Sequence, residues 1–339
     1  MGYRVAVVGA TGNVGRQMLA ILAERNFPVD QAFAVASARS AHQQVSFGDD
    51  TLNVQVLESF DFSQVDIALF SPGAEVSAIY APKAAERGCF VIDNTSHFRM
   101  YPDVPLVVPE INSHRIADAT QSRIIANPNC STVQMVMALA PIHRHIPVRR
   151  VVVATYQSVS GAGQEAMREL ESQTKGMLGH HQAITPTCFP EPIAFNVIPQ
   201  IDKVQEDGFT KEEWKMMAET PKILESDIAV VATCVRVPVF IGHALALTME
   251  LASPLSVHEA AGLLKKMPGV TLIDKTAHAA TPANVAHEDS VYVARLRQDP
   301  TVPSGLACWV VADNLRKGAA LNAVQIAEKL VEIIFNNKN

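Results

Sequence analysis

A short apolar run followed at once by a glycine-rich turn is the feature that most limits the fold of this chain. Residues 4–8 (RVAVV) are typical of a strand buried on both faces. They lead into residues 9–15 (GATGNVG), after which apolar residues recur on one helical face. Glycines at such a turn let the backbone approach a pyrophosphate, which then lies at the helix N-terminus. The pattern predicts a dinucleotide site, although GxxGxxG also occurs in ordinary strand-to-helix turns.

Strands and helices alternate over the first 126 residues. Apolar strand candidates, with helical patterns near 14–22 and 74–87 between them, lie at 32–36, 67–70, 89–92 and 124–126. This alternation predicts a doubly wound, mostly parallel sheet. Ligands of such sheets bind where strands end at their carboxyl side, so the turns that follow these strands are candidate binding loops.

The second half has a different pattern, with longer strands. Strands are predicted at 148–156, 228–238, 244–251, 290–297 and 305–312, and helices near 162–175, 211–220 and 256–266. We therefore expect an α+β domain with a mixed or antiparallel sheet. The proline-rich stretch 176–200 predicts a long loop, and 317–335 predicts an amphipathic helix that returns to the first domain.

A cysteine follows a polar turn at the end of the strand predicted at 124–126. Pro128 fixes the backbone of this turn and biases Asn127 away from helical geometry. A helical pattern follows, so Cys130 is expected beside backbone N–H groups that lack intrahelical partners. That setting favours the nucleophilic thiolate, and the same N–H groups can stabilise an oxyanion. Taken alone, a cysteine here is also typical of a small buried apolar residue.

The turn after the second predicted strand indicates the cofactor. NAD-selective sites commonly place an acidic residue there for the ribose 2′-hydroxyl, whereas a 2′-phosphate is bound by arginine and hydroxyl groups. This turn contains Ser37, Arg39 and Ser40. The sequence therefore predicts NADP, with a plain solvated turn as the alternative.

Composition and charge argue against several classes of function. The net charge of -6 and the lack of a basic run argue against a nucleic-acid partner. The sequence has neither a long apolar stretch that would span a membrane nor the pattern of a signal peptide at its start. The 5 cysteines are scattered and contain no CxxC pair, which predicts reduced thiols in a cytoplasmic protein.

Histidine spacing predicts no resident metal. The close groups are His143 with His145 and His180 with His181. Neither has a cysteine or carboxylate at ligand spacing.

Six motifs occur in order along the chain. They are 9–15 (GATGNVG), 93–99 (DNTSHFR), 127–132 (NPNCST), 156–163 (YQSVSGAG), 218–222 (AETPK) and 234–243 (CVRVPVFIGH). Together they resemble the bacterial aspartate-β-semialdehyde dehydrogenases over essentially the whole chain. The length and the short arginine–histidine segment are most similar to the group named after Gram-positive enzymes.

The resemblance implies an NADP-dependent enzyme acting on a small-molecule substrate. Aspartyl β-phosphate and NADPH would give aspartate semialdehyde, phosphate and NADP, reversibly, on the routes to lysine, threonine, methionine and diaminopimelate. Cys130 would form an acyl thioester, because a thiol is both a strong nucleophile and a competent leaving group. His243 would be the acid–base group, since an unperturbed histidine titrates near neutrality. Gln157 would orient the reacting carbonyl.

Four charged residues match the family's substrate-binding positions. Arg236 would bind the α-carboxylate in a bidentate pair, and Glu219 would bind the α-ammonium. Arg99 and Lys222 would bind the phosphoryl group. From residue types alone, Glu219 and Lys222 are also typical of a solvated i,i+3 pair, and a lone histidine such as His243 is commonly structural.

The resemblance also implies a domain plan and a set of cofactor contacts. A Rossmann-like NADP-binding domain (1–129, completed by a C-terminal helix at 317–339) would be joined to a catalytic and dimerisation domain (130–316) in a homodimer. The fold class is thus α/β with a second, α+β domain that has a mixed sheet. The cofactor contacts would be Gly9, Thr11, Gly12, Asn13, Val14, Gly15, Ser37, Arg39, Ser40, Ser160, Gly161 and Asn314.

Two other functions remain alternatives. An N-acetyl-γ-glutamyl-phosphate reductase uses the same chemistry, but its masked amino group would leave Glu219 without a cationic partner. A non-catalytic NADP-binding sensor usually lacks the nucleophile or the base, whereas Cys130 and His243 are both present here.

Overall fold

The computed structural model describes residues 2–179, 185–273, 278 and 280–335. The chain forms two compact units: one runs to Asn129 and resumes at Ala319, and the other is Cys130–Gly318. His180, His181 and part of the predicted loop at 176–200 lie outside the described residues, as do the last four residues of the segment predicted at 317–339.

A seven-stranded sheet forms the centre of the first unit. Its strands are β1 (Tyr3–Val8), β2 (Val29–Ala36), β3 (Gln44–Phe47), β4 (Asp50–Val56), β5 (Ile67–Phe70), β6 (Phe90–Asp93) and β7 (Ile124–Ala126). In the order β3-β4-β2-β1-β5-β6-β7, every neighbouring pair is parallel except the β3–β4 hairpin. The mostly parallel, Rossmann-like sheet is therefore confirmed. Strands β3 and β4 were not predicted, because their many exposed polar residues interrupt the apolar pattern of buried parallel strands.

Helices α1 (Asn13–Glu24), α2 (Ala74–Glu86) and α3 (Pro109–Asn112) belong to the same unit. Part of its core comes from the other end of the chain. A C-terminal helix, Leu321–Leu330, lies between two π-helical turns, Arg316–Ala320 and Val331–Phe335. Its apolar face is buried in the same core cluster as α1 and the central strands. The side-chain amide of Asn322 donates to Val107 O at 3.0 Å and to Asn127 Oδ1 at 2.6 Å.

The second unit contains a six-stranded mixed sheet. Its strands are β8 (Val148–Gln157), β9 (Ala229–Arg236), β10 (His243–Leu251), β11 (Val270–Ile273), β12 (Val291–Asp299) and β13 (Gly305–Ala312), in the order β11-β12-β13-β10-β8-β9. Pairs β8–β9 and β11–β12 are parallel and the others are antiparallel, so the predicted mixed sheet is confirmed. The short strand β11 was not predicted.

The helices of the second unit are α4 (Cys130–His143), α5 (Gln164–Leu178), α6 (Lys211–Leu224), α7 (Val257–Lys266) and α8 (Pro282–Val285). Two predicted boundaries are wrong. Helix α5 continues to Leu178, so the beginning of the loop predicted at 176–200 is helical. Helix α6 continues through Pro221, although proline has no backbone N–H to donate within the helix. Burial of Ile223 favours the helical residues that follow the proline. Among the helices described, none is long and apolar enough to cross a bilayer.

We expect Asn322→Ala to destabilise the first unit by about 2–3 kcal/mol, because it leaves buried acceptors without their donor. Denaturant unfolding of the purified protein measures this. Gln325→Ala is the matched control on the same helix, since Gln325 is only partly buried and donates to the side chain of Glu110. Equal losses in the two variants would contradict a special role for the Asn322 hydrogen bonds.

Candidate active site

Three side chains named by the sequence motifs lie at one edge of the second sheet. Gln157 ends β8 and Arg236 ends β9, and the two residues are register partners in the parallel pair. His243 begins β10, which runs antiparallel to β8 and pairs His243 with Ala312 of β13. Strand direction therefore brings an amide, a guanidinium and an imidazole to the same edge.

The candidate nucleophile is the first residue of α4. Cys130 is partly exposed, whereas every residue from Ser131 to Ile142 is buried. The helix begins at the cysteine, as the Asn-Pro-Asn turn predicted. A Cβ atom placed on Gly318 would lie 2.9 Å from Cys130 Cβ, closer than real Cβ contacts. Glycine at 318 therefore allows the chain after β13 to approach the cysteine.

The other cysteines do not have this setting. Cys89, Cys234 and Cys308 are buried, which confirms that they are core residues, and burial raises the pKa of each thiol. Cys188 is exposed, and its pKa is also raised, chiefly by desolvation. Burial thus keeps the three core cysteines protonated at neutral pH.

Arg236 is a buried cation. Its side chain donates from Nη1 to the Ser158 carbonyl at 2.7 Å, and the residue is 6% exposed. Burial lowers the pKa of Arg236, while the negative charges of Glu212 and Cys130 act in the opposite direction. A guanidinium held this way can form a strong ion pair with a carboxylate, because little water screens it.

Helix α6 presents a stripe of charged residues at helical spacing. Glu212, Lys215, Glu219 and Lys222 are separated by three, four and three residues, so they share one face. Glu219 is 1% exposed, which excludes the solvated surface pair that residue types alone left open. Glu212 Oε1 accepts from Gln157 Nε2 at 3.2 Å, so this face reaches the sheet edge.

His243 is wholly buried, and its ring orientation is fixed. Nδ1 accepts the Ser158 backbone N–H at 3.1 Å and lies 3.0 Å from Ser158 Oγ. Because Nδ1 is the acceptor, the neutral ring carries its proton on Nε2, which has no hydrogen-bond partner among the described residues. Burial, and secondly the charge of Arg236, lower the pKa of His243 to about 3. The pKa of His243 therefore lies well below that of an unperturbed histidine, because desolvation disfavours the imidazolium.

A buried polar network surrounds the histidine. Asn314 Oδ1 accepts from Gly242 N at 2.8 Å and from Ser158 Oγ at 3.0 Å, and Asn314 Nδ2 donates to Ser160 Oγ at 3.0 Å. The side chains of Ser160 and Asn314 thus bond to each other. A Cβ on Gly161 would lie 3.1 Å from His243 Nε2, so the glycine leaves room beside that atom.

The glycine turn in the first unit has the geometry of an anion site. Helix α1 follows Gly12 and has no acidic residue in its first turn. Gly9 has φ +84°, and a Cβ on it would lie 2.6 Å from Ser71 O, while a Cβ on Gly15 would collide with the Gly9 carbonyl. These glycines are required for the tight turn, and the residues present fit a dinucleotide phosphate at the N-terminus of α1.

The second cofactor turn lies beside the first. Thr11 Oγ1 and Ser40 Oγ are 3.2 Å apart, which brings the turns after β1 and β2 together. Arg39 is exposed on the short helical turn Ala38–Ser40, as is Ser37 before it. An exposed arginine next to hydroxyl groups is suited to a phosphate monoester.

Arg99 also belongs to the first unit. It is buried, and its guanidinium donates to two backbone carbonyls, Asn127 O at 2.9 Å and Asn94 O at 3.0 Å. These bonds hold the side chain in one orientation. Within the described part of the chain, no group of three or more histidine, cysteine and acidic side chains is arranged to hold a metal ion.

Comparison with known proteins assigns the family. The family model for the semialdehyde dehydrogenase NAD binding domain matches residues 4–119, and the model for the semialdehyde dehydrogenase dimerisation domain matches residues 139–317. The aspartate-semialdehyde dehydrogenase of Legionella pneumophila is 52% identical and covers 96% of this chain and 95% of the relative. This chain belongs to the aspartate-semialdehyde dehydrogenase family. The Bacillus subtilis enzyme of that name is 48% identical, with 98% of each chain covered.

A solved member of this family has the same fold. The crystal structure of aspartate semialdehyde dehydrogenase II from Vibrio cholerae complexed with ASA has a TM-score of 0.97 and 49% identity. The match covers 99% of this chain and 100% of that one. The α/β architecture with a Rossmann-like domain and a mixed-sheet domain is therefore the architecture of an aspartate-semialdehyde dehydrogenase.

Three residues of the site were missed by the sequence analysis. Glu212 lies seven residues before Glu219, a spacing that places both on one helical face and could have identified it. Ser158 follows Gln157 directly, but its contact with His243 depends on strand pairing. Gly318 had no signal, because only the fold brings it to Cys130.

We expect His243 to make stability depend on pH. Its folded pKa of about 3 lies below the ordinary 6.5, so the unfolded chain takes up the proton first as pH falls. This contribution is present above pH 6.5 and is lost below it, by about 2 kcal/mol between pH 7 and pH 5. Denaturant unfolding at the two pH values should show this loss in the wild type and its absence in His243→Asn. The exposed His258, changed to Asn, is the control, and the same reduced pH dependence in both variants would contradict the assignment.

Proposed function

We propose that this protein is an NADP-dependent aspartate-semialdehyde dehydrogenase that works through a Cys130 thioester. It would convert aspartyl β-phosphate to aspartate semialdehyde, reversibly, in the synthesis of lysine, threonine, methionine and diaminopimelate. The observation that carries the proposal is the placement of Cys130 at a helix N-terminus in the unit whose sheet edge holds Gln157, Arg236 and His243.

The covalent step uses the thiolate of Cys130. Its Sγ attacks the acyl carbon, the C–O bond to phosphate breaks, and phosphate leaves with the bonding electrons. Backbone N–H groups at the start of α4 stabilise the oxyanion formed in this step. Hydride addition to the thioester carbon gives the oxyanion of a thiohemiacetal. As its C–O bond becomes the aldehyde carbonyl, the C–S bond breaks and the thiolate is restored.

His243 acts on the oxygen of the reacting carbonyl. The Ser158 N–H holds Nδ1 as an acceptor, so the neutral ring offers an Nε2–H donor. A donor already in position stabilises negative charge on oxygen in the transition state by a hydrogen bond, without giving up its proton. Because its pKa is lowered to about 3, His243 is neutral at pH 7. Its Nε2–H donor is therefore available without any change of protonation.

The charged residues bind the polar groups of the substrate. Arg236 pairs with the α-carboxylate, and the buried Glu219 pairs with the α-ammonium. Lys222 on α6 and Arg99 bind the phosphoryl group. A carboxylate at Glu219 favours a substrate with a free amino group over an N-acetylated one, because an acetylated nitrogen carries no positive charge to pair with it.

The first unit is proposed to bind NADP. Its phosphates would lie at the N-terminus of α1, and Arg39 with Ser37 and Ser40 would hold the 2′-phosphate. The bound cofactor supplies or accepts the hydride. The match to a dimerisation-domain model supports a homodimer.

The reaction is tested by following nicotinamide absorbance with purified protein, aspartate semialdehyde, NADP and phosphate. We expect turnover that requires phosphate and the free amino aldehyde. Parallel reactions omit phosphate or replace the substrate with N-acetylglutamate semialdehyde. Turnover with only the acetylated substrate would retain the Cys130 chemistry and overturn the substrate assignment. A folded protein that binds NADP but turns over neither aldehyde would contradict the proposal that this protein is an enzyme.

Cys130→Ala should lower kcat by on the order of 10⁴-fold or more, because no other group can form the thioester. Its melting temperature should stay close to that of the wild type, since the thiol is partly exposed. The matched control is Cys188→Ala, which removes an exposed cysteine and should leave turnover unchanged. Residual turnover near the wild-type rate in Cys130→Ala would rule out the thioester.

Arg39→Ala should weaken NADP binding by roughly 10- to 100-fold, because a hydrogen bond to a charged group contributes about 1.5–3 kcal/mol. NAD binding should change little. Titration calorimetry with both cofactors measures the preference, and Arg115→Ala, another exposed arginine of the first unit, is the control. A preference unchanged by Arg39→Ala would make this turn ordinary protein surface.

A further inference from the structure

A carboxylate with no role so far lies next to Gln157. Glu212, in the first turn of α6, is 5% exposed. Its Oε1 accepts from Gln157 Nε2 at 3.2 Å, and its Oε2 pairs with Lys215 Nζ at 3.0 Å. Lys215 also pairs with Asp202 at 3.2 Å, so its ammonium is anchored from two sides. The carboxylate of Glu212 is therefore paired with an ammonium group in a buried position.

The carboxylate determines which end of the Gln157 amide faces it. An ionised carboxylate can only accept hydrogen bonds, so the NH₂ group must point at Glu212. The second N–H of the same group has an acceptor in Thr155 Oγ1 at 3.3 Å. Both donors of the amide are thus directed into the protein.

The opposite end of the amide has a different environment. Gln157 is 1% exposed, and its Oε1 receives no hydrogen bond from the described residues. Gln157 is the last residue of β8, at the edge where Arg236 ends β9. An oriented amide there presents a carbonyl oxygen, which accepts a hydrogen bond from the substrate and cannot donate one.

We propose that Glu212 is a positioning residue that fixes the amide of Gln157 so that its oxygen receives an N–H or O–H of the substrate. This inference rests on the proposed function and changes the role of Gln157: its oxygen accepts from a donor group of the substrate, and its amide does not contact the reacting carbonyl. Without the charge of Glu212 the amide can flip, and the wrong end then meets the substrate. The expected effect is a lower kcat, because a small misplacement of the substrate in the reacting complex slows the chemical step.

The neighbouring carboxylate provides a matched control. Glu213 is 7% exposed and lies in the same helical turn, but its oxygens accept backbone N–H groups, from Thr210 at 2.7 Å and from Cys234 at 2.9 Å. Together with Thr210 it forms the capping box that starts α6. Glu213→Gln should therefore lower stability without a specific effect on turnover.

The experiment compares wild type, Glu212→Gln, Gln157→Ala, the double variant and Glu213→Gln in the full-length enzyme. We expect Glu212→Gln to lower kcat by about 10- to 100-fold with KM changed by less than about threefold. The double variant should be no slower than Gln157→Ala alone, because Glu212 acts through that amide. Glu213→Gln should keep kcat within about threefold. Glu212→Asp, which retains the charge, should recover part of the loss.

Several results would overturn the inference. These are an unchanged kcat in Glu212→Gln, effects of the two single changes that multiply in the double variant, or an equal loss of kcat in Glu213→Gln. Denaturant unfolding of the same variants separates this inference from the proposed function. Non-additive unfolding midpoints support the Glu212–Gln157 contact even if the wild type fails to turn over aspartate semialdehyde. Additive midpoints contradict the contact whatever the enzyme's substrate is.

Discussion

The register between β8, β9 and β10 is the constraint on which the candidate active site depends. Gln157 pairs with Arg236 in the parallel ladder, and Tyr156 pairs with Ala244 in the antiparallel one. A shift of one residue in either ladder would turn these side chains to the opposite face of the sheet. The alternation of buried and exposed residues along β8 opposes such a shift, because it would expose apolar side chains. The hydrophobic pattern of the strands thus determines where the polar side chains of the site lie.

Burial gives these polar groups their chemical character. Arg236, Glu212 and Glu219 are each less than a tenth exposed, and His243 is completely buried. Charges in such a setting interact strongly, and each would destabilise the protein if it stood alone. Burial keeps His243 neutral, and Ser158, itself bonded to Asn314, holds its ring in one orientation. The unit therefore maintains a polar cluster whose geometry is set before substrate arrives.

Local patterns predicted the elements with the strongest hydrophobic signal. Continuous apolar runs identified the central parallel strands, and Pro128 correctly placed Cys130 at the start of a helix. The exposed hairpin of β3 and β4 has no such run and was not predicted. The low pKa of His243 could not be predicted, because it depends on residues distant in sequence that the sheet brings together. The choice of NADP over NAD stays a prediction that rests on one exposed turn.

The C-terminal helix has a consequence for how the protein is made. Residues Leu321–Leu330 complete the core around a sheet whose first strand is Tyr3–Val8, so contacts join the two ends of the chain. On the ribosome most of the first unit emerges early, yet one side of its core is translated only after the second unit. The core of the unit is therefore incomplete, with apolar residues exposed to solvent, while the whole second unit is synthesised. Folding of the unit proposed to bind the cofactor can therefore be completed only after the second unit has been synthesised, although its sequence begins first.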